Sequence, residues 1–223
     1  MRTLRPSPPR ARHDRRAAPE TVSDEGERLV INVGCGPAGA SHLPPHFAGW
    51  RQLRVDVDAE VEPDVVADLT DLSGIEEACA DAVWASHCIE HLHIHEVPLA
   101  LAQFRRLLKP DGFLCVLVPD LQTVAQYAAA DRLHETLYQS PAGPVTPHDM
   151  LFGYGAAIAA GQTSMAHHCG FTPGMLQQAF REQAFGEVVL RRRVQSFELA
   201  AFARVGRSRD EAERNALMAA LAL

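Results

Sequence analysis

Lysine is almost missing from this 223-residue chain: Lys109 stands alone beside twenty arginines, a usage that points to a GC-rich bacterial genome and carries no mechanism. Long hydrophobic runs are missing too. No stretch approaches the roughly 18 apolar residues of a membrane span, and the arginine-rich start lacks the apolar stretch of about 7–15 residues found in a secretory signal. The expectation is a soluble, cytoplasmic protein with no membrane partner. The five cysteines (Cys35, Cys79, Cys88, Cys115, Cys169) are odd in number, scattered and without C-x-x-C. That pattern argues against a disulfide framework and a zinc knuckle, and for a reducing compartment. Positive charge is short outside the start: residues 1–16 hold six Arg against one Asp, so the formal net of −7 leaves the remainder at −12. With no stripe of aromatic and basic residues, such a body is a poor binder of nucleic acid. No pattern in the sequence fixes an oligomeric state.

What is present suffices for a globular core. Hydrophobic residues make up 47% of the chain, and a chain of this length buries roughly 70% of its surface. Residues 1–28 are rich in Arg, Pro, Ala and acids, without a hydrophobic period, and are expected to form a disordered leader. From Leu29, short apolar runs alternate with segments of helical period, which predicts an α/β fold with a mainly parallel sheet. Strands are expected at 29–33, 53–57, 64–68, 82–86 and 113–118. Helices are expected at 69–80, 96–109 and 121–138, with Pro110-Asp111-Gly112 turning the second into its strand. Between Ser140 and Gly170, five Gly, three Pro and three His fit the alternation badly, and a lid or insertion over a site is expected there. Thr172-Pro173 then caps a helix to about Phe185, followed by two tightly joined strands (187–194 and 196–205) and a terminal helix at 209–221.

Chemistry concentrates at the predicted strand ends. Gly34-Cys35-Gly36-Pro37-Ala38-Gly39 satisfies G-x-G-x-x-G after the first strand, where glycines admit a ligand close to the backbone. Asp56, twenty residues beyond Gly36, sits where a carboxylate can accept both hydroxyls of a ribose, with Asp58 as second choice. Asp68-Leu69 could address an adenine edge, although Asp68 is equally suited to capping a helix.

Five segments in order, VINVGCGPAG (30–39), RVDVD (54–58), VVADLTDLS (65–73), DAVWASHCIEHL (81–92) and RRLLKPDGFLCVLVPD (105–120), resemble the class I S-adenosylmethionine-dependent methyltransferases, in particular a small bacterial group with a Ser-His-x-x-Glu-His-Leu segment. The resemblance covers 29–205. It implies a Rossmann-like, doubly wound, mainly parallel seven-stranded sheet with an antiparallel C-terminal hairpin, a domain over 29–223 with the lid at about 140–170, and S-adenosyl-L-methionine as cofactor. It places Asn32, Gly34 and Gly36 at the methionine end, Asp56 on the ribose, Asp68 and Leu69 on the adenine, and Ser86 and His87 near the sulfonium. Two departures accompany it: Asn32 stands where most members carry an acid, and the third glycine is displaced to Gly39.

The fourth segment also contains His87-Cys88-Ile89-Glu90-His91, which reads H-x-x-E-H, the inverted zinc-peptidase motif. Its position directly after a buried strand, the nearby Pro98, and the lack of any Glu between Glu135 and Glu182 as a third ligand argue against it, and no metal is expected. Glu90 and His91 suit a helix start equally well. Of the histidines, His87, His91, His167 and His168 are the candidates for a base or orienting group, with His148 and Tyr154 behind them and His93 at the surface. The implied reaction is in-line methyl transfer to a small-molecule or sugar-linked acceptor. A methyltransferase-fold binding or regulatory module without catalysis is the alternative. A nicotinamide-dependent dehydrogenase is disfavoured by the EHL and KPDG segments.

Overall fold

In a computed structural model, residues 27–39, 43–207 and 211–221 are described, so nearly all of the expected leader lies outside the described residues. Seven strands form one sheet in the order β3-β2-β1-β4-β5-β9-β8. These are β1 (Leu29–Val33), β2 (Arg51–Asp56), β3 (Val65–Val66), β4 (Ala80–Ser86), β5 (Leu108–Pro119), β8 (Glu187–Arg193) and β9 (Glu198–Arg204). The first five pair in parallel, and β9 runs antiparallel to both of its neighbours, β5 and β8. A further hairpin, β6 (Tyr138–Ser140) with β7 (Gly143–Val145), stands apart from this sheet. The expected mainly parallel α/β sheet with an antiparallel hairpin at its end is the architecture observed.

Strand alternation divides the core into two faces. Ile31, Val33, Val83, Val116 and Val118 pack on one side with the apolar stripe of α1 (Val97–Leu107) and with Leu176 and Phe180 of α5 (Pro173–Glu182). Val30, Trp84, Phe113 and Phe202 pack on the other, against Phe47 and Met218 of α6 (Glu211–Ala220). Because both faces of β1 and β5 are covered, their sequences are nearly continuous apolar runs rather than alternating ones. Helix α5 begins as expected, the Thr172 hydroxyl accepting the Met175 N–H with Pro173 in the first turn.

Three predicted elements come out differently. Residues 69–79 are turns and not a helix. Asp68 Oδ1 accepts the Thr70 N–H and hydroxyl, and Asp71 Oδ1 accepts the same pair from Ser73. Such side-chain bonds offer the backbone an alternative to helix. The KPDG segment belongs to the irregular start of β5 and is not a separate turn. Gly112 lies there so close to β4 that a Cβ would stand 3.0 Å from the Ala80 carbonyl oxygen. The helix expected over 121–138 stops early, as α2 (Leu121–Ala129), with Asp131 left-handed at φ 56° just beyond it.

Phe104 of α1 is fully buried between helix and sheet. Phe104→Ala should lower the unfolding free energy by about 3–5 kcal/mol, read in urea melts as an earlier midpoint at unchanged slope.

Candidate functional site

Parallel strands bring their carboxyl ends to one edge. The chain leaves β1 for β2 and β3 on one side and then returns to β4 and β5 on the other. This reversal opens a crevice between the ends of β1 and β4, where open α/β sheets take ligands. Asn32, Gly34, Gly36, Asp56, Asp68, Leu69, Ser86 and His87 all lie at the ends of β1 to β4 or directly after them. Asn32 is a buried polar residue on β1. Gly34 and Gly36 are both left-handed, at φ 63° and 61°. They differ in their surroundings: a Cβ on Gly34 would lie 2.5 Å from Cys88 Cβ, whereas one on Gly36 would meet nothing within 4 Å. Gly34 therefore lets β1 close against the β4 tip, and Gly36 leaves open space.

The Asp56 carboxylate organises this loop by accepting the Gly36 N–H (2.9 Å) and the Asp58 N–H (3.0 Å), one on each oxygen. Each oxygen keeps a further lone pair for a ligand hydroxyl. Asp58 is spent locally, capping a single turn at Ala59–Val61 through the Glu60 N–H. Arg54, not singled out in the sequence, ties the loop to that turn by donating to the carbonyls of Gly36 (2.7 Å) and Glu62 (2.7 Å). Asp68 caps no helix and holds the Thr70 turn instead.

Beyond β4, His87 is left-handed at φ 51° and is followed by a single 3-10 turn at Ile89–His91. A turn this short does not set His87 and His91 on one helical face, so the spacing that suggested H-x-x-E-H has no structural counterpart. His87 is held between two carboxylates, Nε2 lying 2.7 Å from Glu198 Oε1 and Nδ1 3.3 Å from Glu90 Oε1. Burial disfavours the charged ring, but Glu198 and Glu90 outweigh it and raise its pKa to about 10. It stands at the crevice as a cation with no free lone pair. Burial would likewise favour a neutral Glu90, and His87 together with His91 and His167 holds it below the usual carboxylate range.

The excursion between α2 and α5 is ordered around this point. It contains β6, β7, α3 (Pro147–Phe152) and α4 (Gly155–Ala159). Its returning segment crosses the Glu90 turn: the Glu90 carbonyl accepts the N–H groups of His168 (2.9 Å) and Cys169 (3.2 Å). His91 Nδ1 lies 3.1 Å from the Ala166 carbonyl oxygen, and His167 Nδ1 lies 3.0 Å from that of Met150. The two rings are 4.9 Å apart. Burial pushes the His167 pKa down, leaving a neutral imidazole. Glu90, Leu121, Met150, Phe152, His167 and Cys169 line a cavity of about 220 Å³ beside the β5 tip.

The remaining candidates separate by place. His168 is exposed and packs on His93, itself stacked with His95. His148 is exposed between His134 and Phe152. The Tyr154 hydroxyl donates to the Ala142 carbonyl and fastens the tip of the β6–β7 hairpin. Sequence reasoning missed Glu198, which nothing local marks, and Asp120. The latter was legible as a cap: it is buried, accepts from Gln122 and Thr123, and pairs with Arg192 at 3.1 Å.

Gly153 is what lets the excursion fold back on itself. At φ 96° it lies so near the returning segment that a Cβ would be 2.0 Å from the Met165 carbonyl oxygen, whereas Gly161, at φ 100°, has nothing within 4 Å. Gly153→Ala should destabilise the protein by more than the roughly 1 kcal/mol expected of Gly161→Ala. Its extra hydrogen exchange should be confined to residues 147–170, and equal effects of the two substitutions would contradict the close approach.

Residues 31–116 match the methyltransferase-domain family. No curated protein matches the sequence. Among solved structures, the fold is similar to the PH0226 protein of Pyrococcus horikoshii OT3, with 16% identity over 81% of this chain and 82% of that one and a TM-score of 0.55. It is also similar to a SAM dependent methyltransferase from Archaeoglobus fulgidus, with 14% identity, 81% and 87% coverage and a TM-score of 0.52. A third is the 1,6-didemethyltoxoflavin-N1-methyltransferase of Burkholderia thailandensis, solved with 1,6-didemethyltoxoflavin and S-adenosylhomocysteine, with 18% identity, 82% and 73% coverage and a TM-score of 0.50. At such identities the likeness speaks for the fold alone. The strand order, the crevice at the β1 and β4 ends and the segment matched by the methyltransferase-domain family agree with one another, and the fold is the Rossmann-like one of the solved S-adenosylmethionine-dependent methyltransferases it resembles.

Proposed function

We propose that the protein transfers a methyl group from S-adenosylmethionine to a small-molecule or sugar-linked acceptor seated in the cavity beside Glu90 and His167. The observation that carries this reading is the adjacency of two spaces on one sheet edge: the open cradle at Gly36 with Asp56 beside it, and the cavity bounded by Pro119, Leu121 and the excursion. When bound, the cofactor supplies an electrophilic methyl carbon on a sulfonium. Gly34 and Gly36 admit its methionine end with Asn32, Asp56 accepts its ribose hydroxyls, Asp68 with Leu69 meets the adenine, and Ser86 and His87 form the floor near the reacting carbon. The excursion at about 140–170 serves as the lid over the acceptor.

Acceleration in such a site comes from alignment and exclusion of water, so few side chains need act chemically. His167 lines the cavity as a neutral ring and is placed to orient or deprotonate an acceptor hydroxyl or amine. His87, already a cation, orients rather than accepts a proton, and His168 lies outward at the cavity rim. The cavity volume suits a small acceptor group, and the acidic balance of the chain disfavours nucleic acid. No helix among the described residues is long and apolar enough to cross a membrane.

Calorimetric titration with S-adenosylmethionine and S-adenosylhomocysteine tests the reading. Micromolar binding is expected, and Asp56→Ala should weaken it by about 10–100-fold, as the loss of charge-assisted hydrogen bonds of about 1.5–3 kcal/mol implies. Folded protein that binds neither compound would overturn it.

A further inference from the structure

Glu90 and His91, to which the methyl-transfer reading gives no chemical role, form a group with His167. One ligand atom from each lies within 4.8 Å of the other two. The Glu90 side chain is only 1% exposed, and neither of its oxygens accepts a hydrogen bond; the nearest donor, His87 Nδ1, stands 3.3 Å from Oε1 in a geometry short of one. A buried carboxylate oxygen without a partner costs free energy unless something answers it. Both imidazoles meanwhile place Nδ1 at hydrogen-bonding distance from a backbone carbonyl, Ala166 for His91 and Met150 for His167. A carbonyl can only accept, so each Nδ1 carries the proton and each Nε2 is left with its lone pair. A backbone carbonyl on one ring nitrogen and an open lone pair on the other is the arrangement that orients a metal-ligating histidine.

We propose that Glu90, His91 and His167 bind a divalent transition metal ion of the zinc class. Two neutral imidazoles and one carboxylate are a donor set suited to zinc, with a fourth position open for a ligand. Zinc bonds of about 2.0–2.2 Å space tetrahedral donors roughly 3.4 Å apart, so side-chain rotations of about 1 Å would draw the three atoms together. His87 fits the scheme as the outer partner of Glu90: it approaches Oε1 and leaves Oε2 for the ion. The cavity starts at two of the ligands, Glu90 and His167, so the open position faces the space where a bound molecule would present an oxygen or nitrogen. In the H-x-x-E-H pattern the ligands would be His87, His91 and a distant glutamate. The third ligand here is His167, seventy-six residues after His91, and His87 is engaged elsewhere. The site does not depend on the methyl-transfer reading, and its test needs no methyl donor.

The experiment uses the untagged full chain, stripped with a chelator and titrated with Zn²⁺ in competition with a chromophoric chelator. One equivalent should bind, and Glu90→Gln and His167→Gln should each weaken binding at least 100-fold while circular dichroism stays native. His93→Gln/His95→Gln, which alters the neighbouring exposed histidines, should leave binding unchanged. Should the ligand variants fail to fold, Co²⁺ substitution of the unaltered protein decides. Four- or five-coordinate d–d bands without a thiolate-to-cobalt charge-transfer band are expected, together with a paramagnetic shift of the Met150 methyl in NMR spectra. A thiolate band, loss of binding in the His93/His95 variant, unchanged binding in folded His167→Gln, or no stoichiometric binding would each overturn the proposal.

Discussion

A carboxylate carried into the interior at the end of a parallel strand is the constraint on which the described site turns. Glu90 is 1% exposed, and moving a charge out of water is costly unless opposite charge and hydrogen bonds replace the solvent. Its compensation comes chiefly from the His87 cation, three residues earlier and just ahead of the 3-10 turn. The same residue's carbonyl takes two backbone N–H groups, those of His168 and Cys169, from the returning segment. Side chain and main chain of one residue thus fix both the turn after β4 and the segment that closes over it.

Two glycines permit that closure, for the same physical reason at different places. Gly34 has no room for a Cβ because Cys88 lies against it, which is how β1 and β4 come together at the point where strand order reverses. Gly153 has none because the Met165 carbonyl lies against it, which is how the excursion doubles back and brings His167 to Glu90. Gly153, at φ 96° and ψ 159°, occupies a region open essentially to glycine alone, whereas at Gly34 positive φ alone would have allowed Asn or Asp at modest cost. The close backbone approach does not.

The sheet was legible because its strands are buried on both faces. Continuous apolar runs such as Leu29 to Val33 and Phe113 to Val118 have few other ways to be satisfied, and the cap at Thr172-Pro173 marks its helix by chemistry local to two residues. The stretch after β3 misled because Leu72 and Ile75 have helical spacing and are indeed buried, yet Asp68 and Asp71 fold the backbone into turns that bury the same side chains. The crevice residues followed from strand ends and were readable as positions, though the engagement of Asp56 with Gly36 was not. Contacts between distant segments left no trace in spacing: His91 with His167, Arg54 with Gly36, His87 with Glu198. The H-x-x-E-H pattern shows the converse, since its spacing carries information only on a continuous helix, and here the backbone makes a single tight turn.

The antiparallel strand supplies what the parallel ones cannot. Every parallel strand arrives at the crevice edge with its carboxyl end, so side chains there come from strand ends and the loops that follow. β9 runs the other way, pairing Glu198 with Pro119 at the end of β5, and so delivers a carboxylate from its first residue to that same edge. Glu198 in turn is held by Arg193, the last residue of β8, at 2.8 Å and by the Ser196 hydroxyl in the β8–β9 connection at 2.7 Å. The hairpin therefore does more than extend the sheet. By fixing Glu198 it fixes the charge on His87, by that charge it stabilises ionised Glu90, and so the electrostatics of a site built on β4 rest on a strand entering from the opposite end.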